Sequence, residues 1–129
     1  MLAVDTNVVV RYLTRDDAEQ FARASALIAS EDVFVCTTVV LECEWVLRRA
    51  YQFSRNRIVE ALRSFAGLPR VTLEEPALIV QALEWSAAGM DFADALHLAT
   101  TGDCEAFVSF DRRLATIARR IGTLTVRTP

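Results

Sequence analysis

Five short apolar runs punctuate this chain: Leu2-Ala3-Val4, Val33-Phe34-Val35-Cys36, Val71-Thr72-Leu73, Ala106 to Phe110, and Leu124-Thr125-Val126. Each is too brief for a buried helix, and most show no polar alternation. Strands that are apolar on both faces belong to a sheet covered on both sides. Parallel neighbours need a long crossover, usually a helix, and every gap here is wide enough for one. The spacing therefore predicts an α/β fold: a three-layer α/β/α sandwich around a mainly parallel sheet of four or five strands. With 129 residues the chain is expected to form a single domain, 1–129.

The intervening segments carry helix punctuation. Val8 to Leu13 reads as a short helix in spite of its β-branched residues. Asp16-Asp17 open an amphipathic helix to about Ser30. Thr37 or Thr38 is placed to cap a helix reaching about Tyr51, and Ser54 caps another over 55–66, closed by Gly67 and Pro69. Pro76 begins a helix that Gly89 ends. Asp91 starts the next, to near Gly102, and Asp111 starts the last, stopped by Gly122.

Composition excludes several classes. All 14 basic residues are Arg, against 17 acids, for a net charge of −3, which argues against a simple nucleic-acid coat. It leaves room for a nuclease, because carboxylates that hold a cation are neutralised in the working state. Cys36, Cys43 and Cys104 are odd in number and lack metal-ligand spacing, so three buried free thiols in a reducing cytoplasm are expected. No basic, apolar leader opens the sequence, and no run is long enough to cross a bilayer. A soluble cytoplasmic protein with no membrane role is expected. Mean hydropathy is +0.26, high for a small domain, which predicts an exposed apolar patch for self-association or partner docking.

The chemistry lies in the acids. In open parallel sheets, ligands bind beyond the carboxyl ends of the strands. Asp5 follows the first run and Asp111 the fourth, each at a strand-to-helix junction. Both are also favoured helix caps, which alone would account for either. On the helix after Thr38, the apolar stripe taken through Val39, Cys43, Val46, Leu47 and Ala50 places Glu42 at its buried edge and Glu44 on the solvated side, paired with Arg48. A buried Glu42 needs a cation, either an Arg such as Arg11 or Arg49, or a metal. Asp91 at a helix start is explained by capping, whereas Asp94, beside Ala95 and Leu98, turns toward the core. Four acids, Asp5, Glu42, Asp94 and Asp111, are thus candidates for one crevice, with Asp91 in reserve. An all-oxygen set suits Mg²⁺ or Mn²⁺ rather than zinc. The lone His97 reads as a surface residue. No phosphate-binding glycine loop and no serine-nucleophile motif is present. Phosphodiester hydrolysis by a metal-activated water is the chemistry that remains.

These residues resemble a known family. Val4-Asp5-Thr6-Asn7, Glu42 within Thr38-Val39-Val40-Leu41-Glu42, Asp94-Ala95-Leu96-His97-Leu98-Ala99, and Val108-Ser109-Phe110-Asp111 look like the four motifs of PIN-domain ribonucleases, in order and over the whole chain. The spacings resemble the VapC type, the toxin half of VapBC toxin–antitoxin pairs. The resemblance implies a PIN-like fold and a Mg²⁺-dependent endoribonuclease acting on structured RNA such as tRNA or rRNA. It also implies a VapB-like antitoxin, and a homodimer or toxin–antitoxin hetero-oligomer. By the same resemblance Asp5, Glu42, Asp94 and Asp111 are catalytic and hold the metal, and Thr6, Asn7 and Ser109 orient them. Ser109 stands where Thr is more usual.

Two basic stretches fit an RNA substrate. Residues 48–70 carry six Arg against Glu60, and residues 111–129 carry five Arg against Asp111. Arg48, Arg49 and Arg112 are the candidate substrate contacts, and Tyr12, Trp45 and Tyr51 are aromatic residues that could stack on bases. The alternatives are a non-catalytic interaction module on the same fold, its acids serving as caps, and a DNA-cleaving relative.

Overall fold

A computed structural model describes residues 1–129. The chain is α/β, with five strands and seven helices in two compact units, Met1–Pro76 and Ala77–Pro129.

In the first unit the order is β1 (Leu2–Ala3), α1 (Thr6–Thr14), α2 (Ala18–Ser30), β2 (Val33–Val35), α3 (Thr37–Arg49), α4 (Arg55–Ala66) and β3 (Val71–Leu73). The three strands form a parallel sheet in the order β1-β2-β3, with Leu2 opposite Val33 and Val33 opposite Val71. Central β2 buries Val33 and Val35 completely, as the double-faced apolar run requires. α1 forms because Asp5 caps it and because Val9 and Val10 are buried. That burial outweighs their weak helix propensity. α1 packs on α2 and α3, and α3 packs on α4.

The second unit contains α5 (Pro76–Ala87, which begins at the unit boundary), α6 (Phe92–Thr100), β4 (Phe107–Val108), α7 (Arg112–Ile121) and β5 (Val126–Arg127). β4 and β5 pair in parallel, Phe107 with Val126 and Val108 with Arg127. Its core includes Ile79, Leu83, Met90, Ala95 and Leu98. Gly89 and Gly122 take positive φ at the ends of α5 and α7, where glycine escapes the Cβ clash.

All pairings are parallel, as expected, but the five strands form two sheets rather than one. Two expectations about the thiols are corrected: only Cys43 is buried, Cys36 is half-exposed and Cys104 exposed. Apolar runs include loop-end positions that face water. No helix is long and apolar enough to cross a membrane.

Candidate active site

In the first unit, β1 delivers the chain through buried Val4 to Asp5, whose extended backbone ends the strand and begins α1. Asp5 Oδ1 accepts the Thr6 N–H at 2.8 Å. The Thr6 side chain is buried, 4% exposed, and its hydroxyl donates to Glu42 Oε1 on α3. One residue therefore touches two motif acids that are far apart in sequence. Its N–H holds Asp5 and its hydroxyl holds Glu42. Cys43, wholly buried beside Glu42 on α3, reports the charge gathered there. Burial first, then the negative charges of Glu42 and Asp5, push its thiol up to about 12.

The expected roles of Glu42 and Glu44 on the helix surface are reversed. Glu42 is exposed, and Glu44 is buried beneath Arg48, which bonds it at 2.9 Å. The buried stripe runs through Val40, Cys43, Glu44 and Leu47, one residue out of phase with the stripe drawn through Val39 and Val46. Arg48 covers Glu44 from the surface with its long side chain, so the carboxylate is buried but paired. Arg11, considered as a partner for Glu42, is engaged by Gln20, Asp16 and Tyr51. Asn7 is exposed and lines a hollow of about 380 Å³ with Arg11, Gln20 and Arg23.

In the second unit, Asp91 caps α6 by accepting the Asp94 N–H at 3.1 Å, which accounts for Asp91 as a structural residue. Asp94 lies half-buried in the first turn. Burial raises its carboxyl above the usual range, and the charges of Asp91 and Asp111 raise it further against a smaller opposing effect of His97. Asp111 ends the β4 segment and caps α7, with Oδ1 accepting from Arg113 N–H at 2.9 Å and Leu114 N–H at 3.1 Å. Ser109 acts on the backbone: its Oγ accepts the Asp111 N–H at 3.0 Å and fixes the turn that presents Asp111. His97 is exposed and stacks on Phe107, consistent with its reading as a surface residue.

The structure thus assembles Asp5, Thr6 and Glu42 in one unit, and Asp94, Asp91 and Asp111 in the other. It gathers no three His, Cys, Asp or Glu side chains into a group able to hold a metal ion by themselves. The donors fit a hard divalent cation in kind. They are all carboxylate oxygens, and one is held by a buried hydroxyl, as metal-ligating carboxylates commonly are. Of the candidate substrate arginines, Arg49 and Arg112 are exposed, while Arg48 is bonded to Glu44. Tyr12 packs between Phe21 and Phe65, and Tyr51 donates to Asp16, so both are structural. Trp45 is exposed. Phe110, overlooked when its run was read as a strand through to its end, is the most exposed large hydrophobic residue. The sequence signal for it is Ser109, placed two residues before a capping Asp, which turns the chain out of the strand.

Residues 2–120 match the family model of the PIN domain. A search of curated proteins finds no match. Among solved structures, the crystal structure of Mycobacterium tuberculosis VapC20, described as a sarcin-ricin loop cleaving toxin, is similar at 22% sequence identity. That alignment covers 90% of this chain and 94% of that one, with a TM-score of 0.44.

Proposed function

This chain belongs to the PIN-domain family, and on that premise we propose that it is a Mg²⁺-dependent endoribonuclease, the toxin of a VapBC-type toxin–antitoxin pair. The observation that carries the reading is the double use of Thr6. A buried hydroxyl donates to the exposed Glu42, beside Asp5, and so orients one surface carboxylate next to another.

Asp5, Glu42, Asp94 and Asp111 are the carboxylates that would hold Mg²⁺, with Mn²⁺ as a substitute. The bound cation supplies Lewis acidity and lowers the pKa of water for hydrolysis of an RNA phosphodiester. Thr6 holds Glu42 in one rotamer. Ser109 sets the turn from which Asp111 projects, and capping restrains Asp5 and Asp111. Asp94, kept partly out of water among like charges, has the most to gain from a counter-cation. Asn7 is read as a further polar group at the site. Arg49 and Arg112, with Arg48 where Glu44 releases it, would neutralise phosphates of a structured RNA such as tRNA or rRNA. The reading carries with it a cytoplasmic site of action, a VapB-like antitoxin and assembly as a homodimer or toxin–antitoxin hetero-oligomer.

The test uses purified protein freed of any partner, with RNA and DNA substrates side by side, in Mg²⁺ and in EDTA. Cleavage of RNA that needs the metal and is abolished by Asp5→Asn and by Asp94→Asn is the expected result. Protein that binds no divalent cation refutes the reading. Equal cleavage of DNA replaces it with a DNA-cleaving relative. Caps are present at Asp5, Asp91 and Asp111, so a non-catalytic module is the second reading. It is favoured if the same substitutions alter stability alone.

A further inference from the structure

Phe110 is 83% exposed, in the two-residue link between β4 and the cap of α7. Burying a Phe side chain is worth roughly 1.5–3 kcal/mol, so a ring left in water gains nothing for the fold. The link is held firmly all the same. Ser109 N–H donates to Arg127 O at 2.9 Å, and Asp111 N–H to Ser109 Oγ at 3.0 Å, so the ring projects from a fixed turn. Its setting is basic. Arg112 and Arg113 follow Asp111 in the first turn of α7, and Arg127 lies opposite Val108 on the neighbouring strand. Val108, two residues before Phe110, is itself 49% exposed. Arg112, Arg113 and Arg120 line a groove of about 330 Å³ along α7, and no acid follows Asp111 in the sequence.

We propose that Phe110 is a stacking platform for an unpaired nucleobase of the RNA, with the α7 arginine groove taking the adjoining phosphates. The proposal rests on the nuclease reading for its substrate and adds the residue that would hold an unpaired base of it. An exposed aromatic ring with arginines close to it in the chain is a combination that suits single-stranded nucleic acid: the ring takes a base, the charges take the backbone. Protein contacts also enrich aromatic residues and arginine; what favours a polyanion here is charge of one sign, with five arginines and no acid over residues 112–129. Duplex RNA offers no free base face, so the platform selects loops, bulges and ends.

The test measures anisotropy of a short fluorescein-labelled oligoribonucleotide, single-stranded or annealed to its complement, in EDTA so that nothing is cut. The single strand should bind wild type more tightly than the duplex. Phe110→Ala should weaken single-strand binding about 5- to 150-fold, Phe110→Trp should preserve it, and Phe110→Leu should behave as the alanine variant does. The salt dependence should stay unchanged in Phe110→Ala and flatten in Arg112→Gln, because only the second removes a phosphate contact. Wild-type affinity in Phe110→Ala, or in Phe110→Leu, overturns the proposal. So does loss of self-association on sedimentation with RNA affinity intact, which would assign the ring to a protein contact. A wild type that binds single strands but cuts nothing when Mg²⁺ is added loses the nuclease reading and keeps the platform. A wild type that cuts, with Phe110→Ala binding equally well, does the reverse.

Discussion

Replacing Thr6 with Val removes one hydroxyl and little volume. Thr6 is 4% exposed and its hydroxyl joins α1 to Glu42 on α3. A hydrogen bond to a charged acceptor is worth roughly 1.5–3 kcal/mol. Glu42 is exposed and rehydrates when released, so the lower end applies, about 1.5 kcal/mol. For a chain of 129 residues that corresponds to a fall in Tm of about 5 °C. The larger effect falls on the metal. Removing the group that orients a ligand typically costs about 10- to 100-fold in metal affinity or activity. Thr6→Ser is the informative companion: it keeps the hydroxyl and opens a methyl-sized gap, costing about 1 kcal/mol of packing. Calorimetric titration with Mn²⁺ and thermal melts in EDTA should therefore disagree in a defined way. Both variants melt earlier, and only Thr6→Val loses Mn²⁺ affinity. If Thr6→Val binds Mn²⁺ as wild type does, or Thr6→Ser loses as much affinity as Thr6→Val, the orienting role of Thr6 is wrong.

Asp94→Asn should raise the Tm of the metal-free protein at neutral pH while abolishing activity. Its folded pKa lies above the unfolded value, so the native state holds the proton more tightly and ionisation weakens the fold as pH rises. The advantage should vanish below about pH 4, where the wild-type carboxyl is protonated in both states, and melts across that range check it. Cys43, with its thiol pushed up to about 12, should resist Ellman's reagent at neutral pH, while exposed Cys104 and half-exposed Cys36 react; the third thiol should appear only on unfolding. Arg48→Met should cost about 1–2 kcal/mol in urea melts by leaving Glu44 buried without its partner, a loss held below that of a fully buried pair by the 43% exposure of the arginine side chain. The same change at exposed Arg49 should stay within about 0.5 kcal/mol.

Much of the fold was legible because its punctuation is local. Asp17, Ser54, Asp91 and Asp111 each cap the helix expected of them, and Gly122 ends the last. The failures come from partners distant in sequence. Neither Thr37 nor Thr38 caps α3; Cys36 holds the cap position, its side chain accepting no helix N–H, and Thr37 N–H donates to Glu74 from beyond β3. The strand read through Phe110 stops at Val108, because the Ser109 side chain captures the Asp111 N–H and turns the chain. On α3 a phase error of one residue, about 100° of helix, exchanged the surroundings of Glu42 and Glu44. Glu42 was thus singled out through a burial it does not have. Its bond from Thr6 supports the choice on other grounds, and no local pattern reveals a bond that joins two helices.

Capping and metal binding were set against each other as explanations of the same aspartates, and the structure removes that opposition. Asp5, Asp91 and Asp111 each cap through Oδ1. A carboxylate has two oxygens, and a cap uses one. A cap also places the anion at the positive end of a helix dipole and stiffens its rotamer, both useful to a ligand. Observing a cap therefore says nothing against a catalytic role, and Ala substitutions, which remove the cap as well, confound the two. Asn caps about as well as Asp, so Asp5→Asn and Asp111→Asn remove the charge and keep the helix start. Asp91→Asn is the internal control, since its cap explains it fully. If all three Asn variants retain wild-type cleavage, these aspartates serve only the fold. Loss at positions 5 and 111 with retention at 91 separates ligands from caps on a single chemical change.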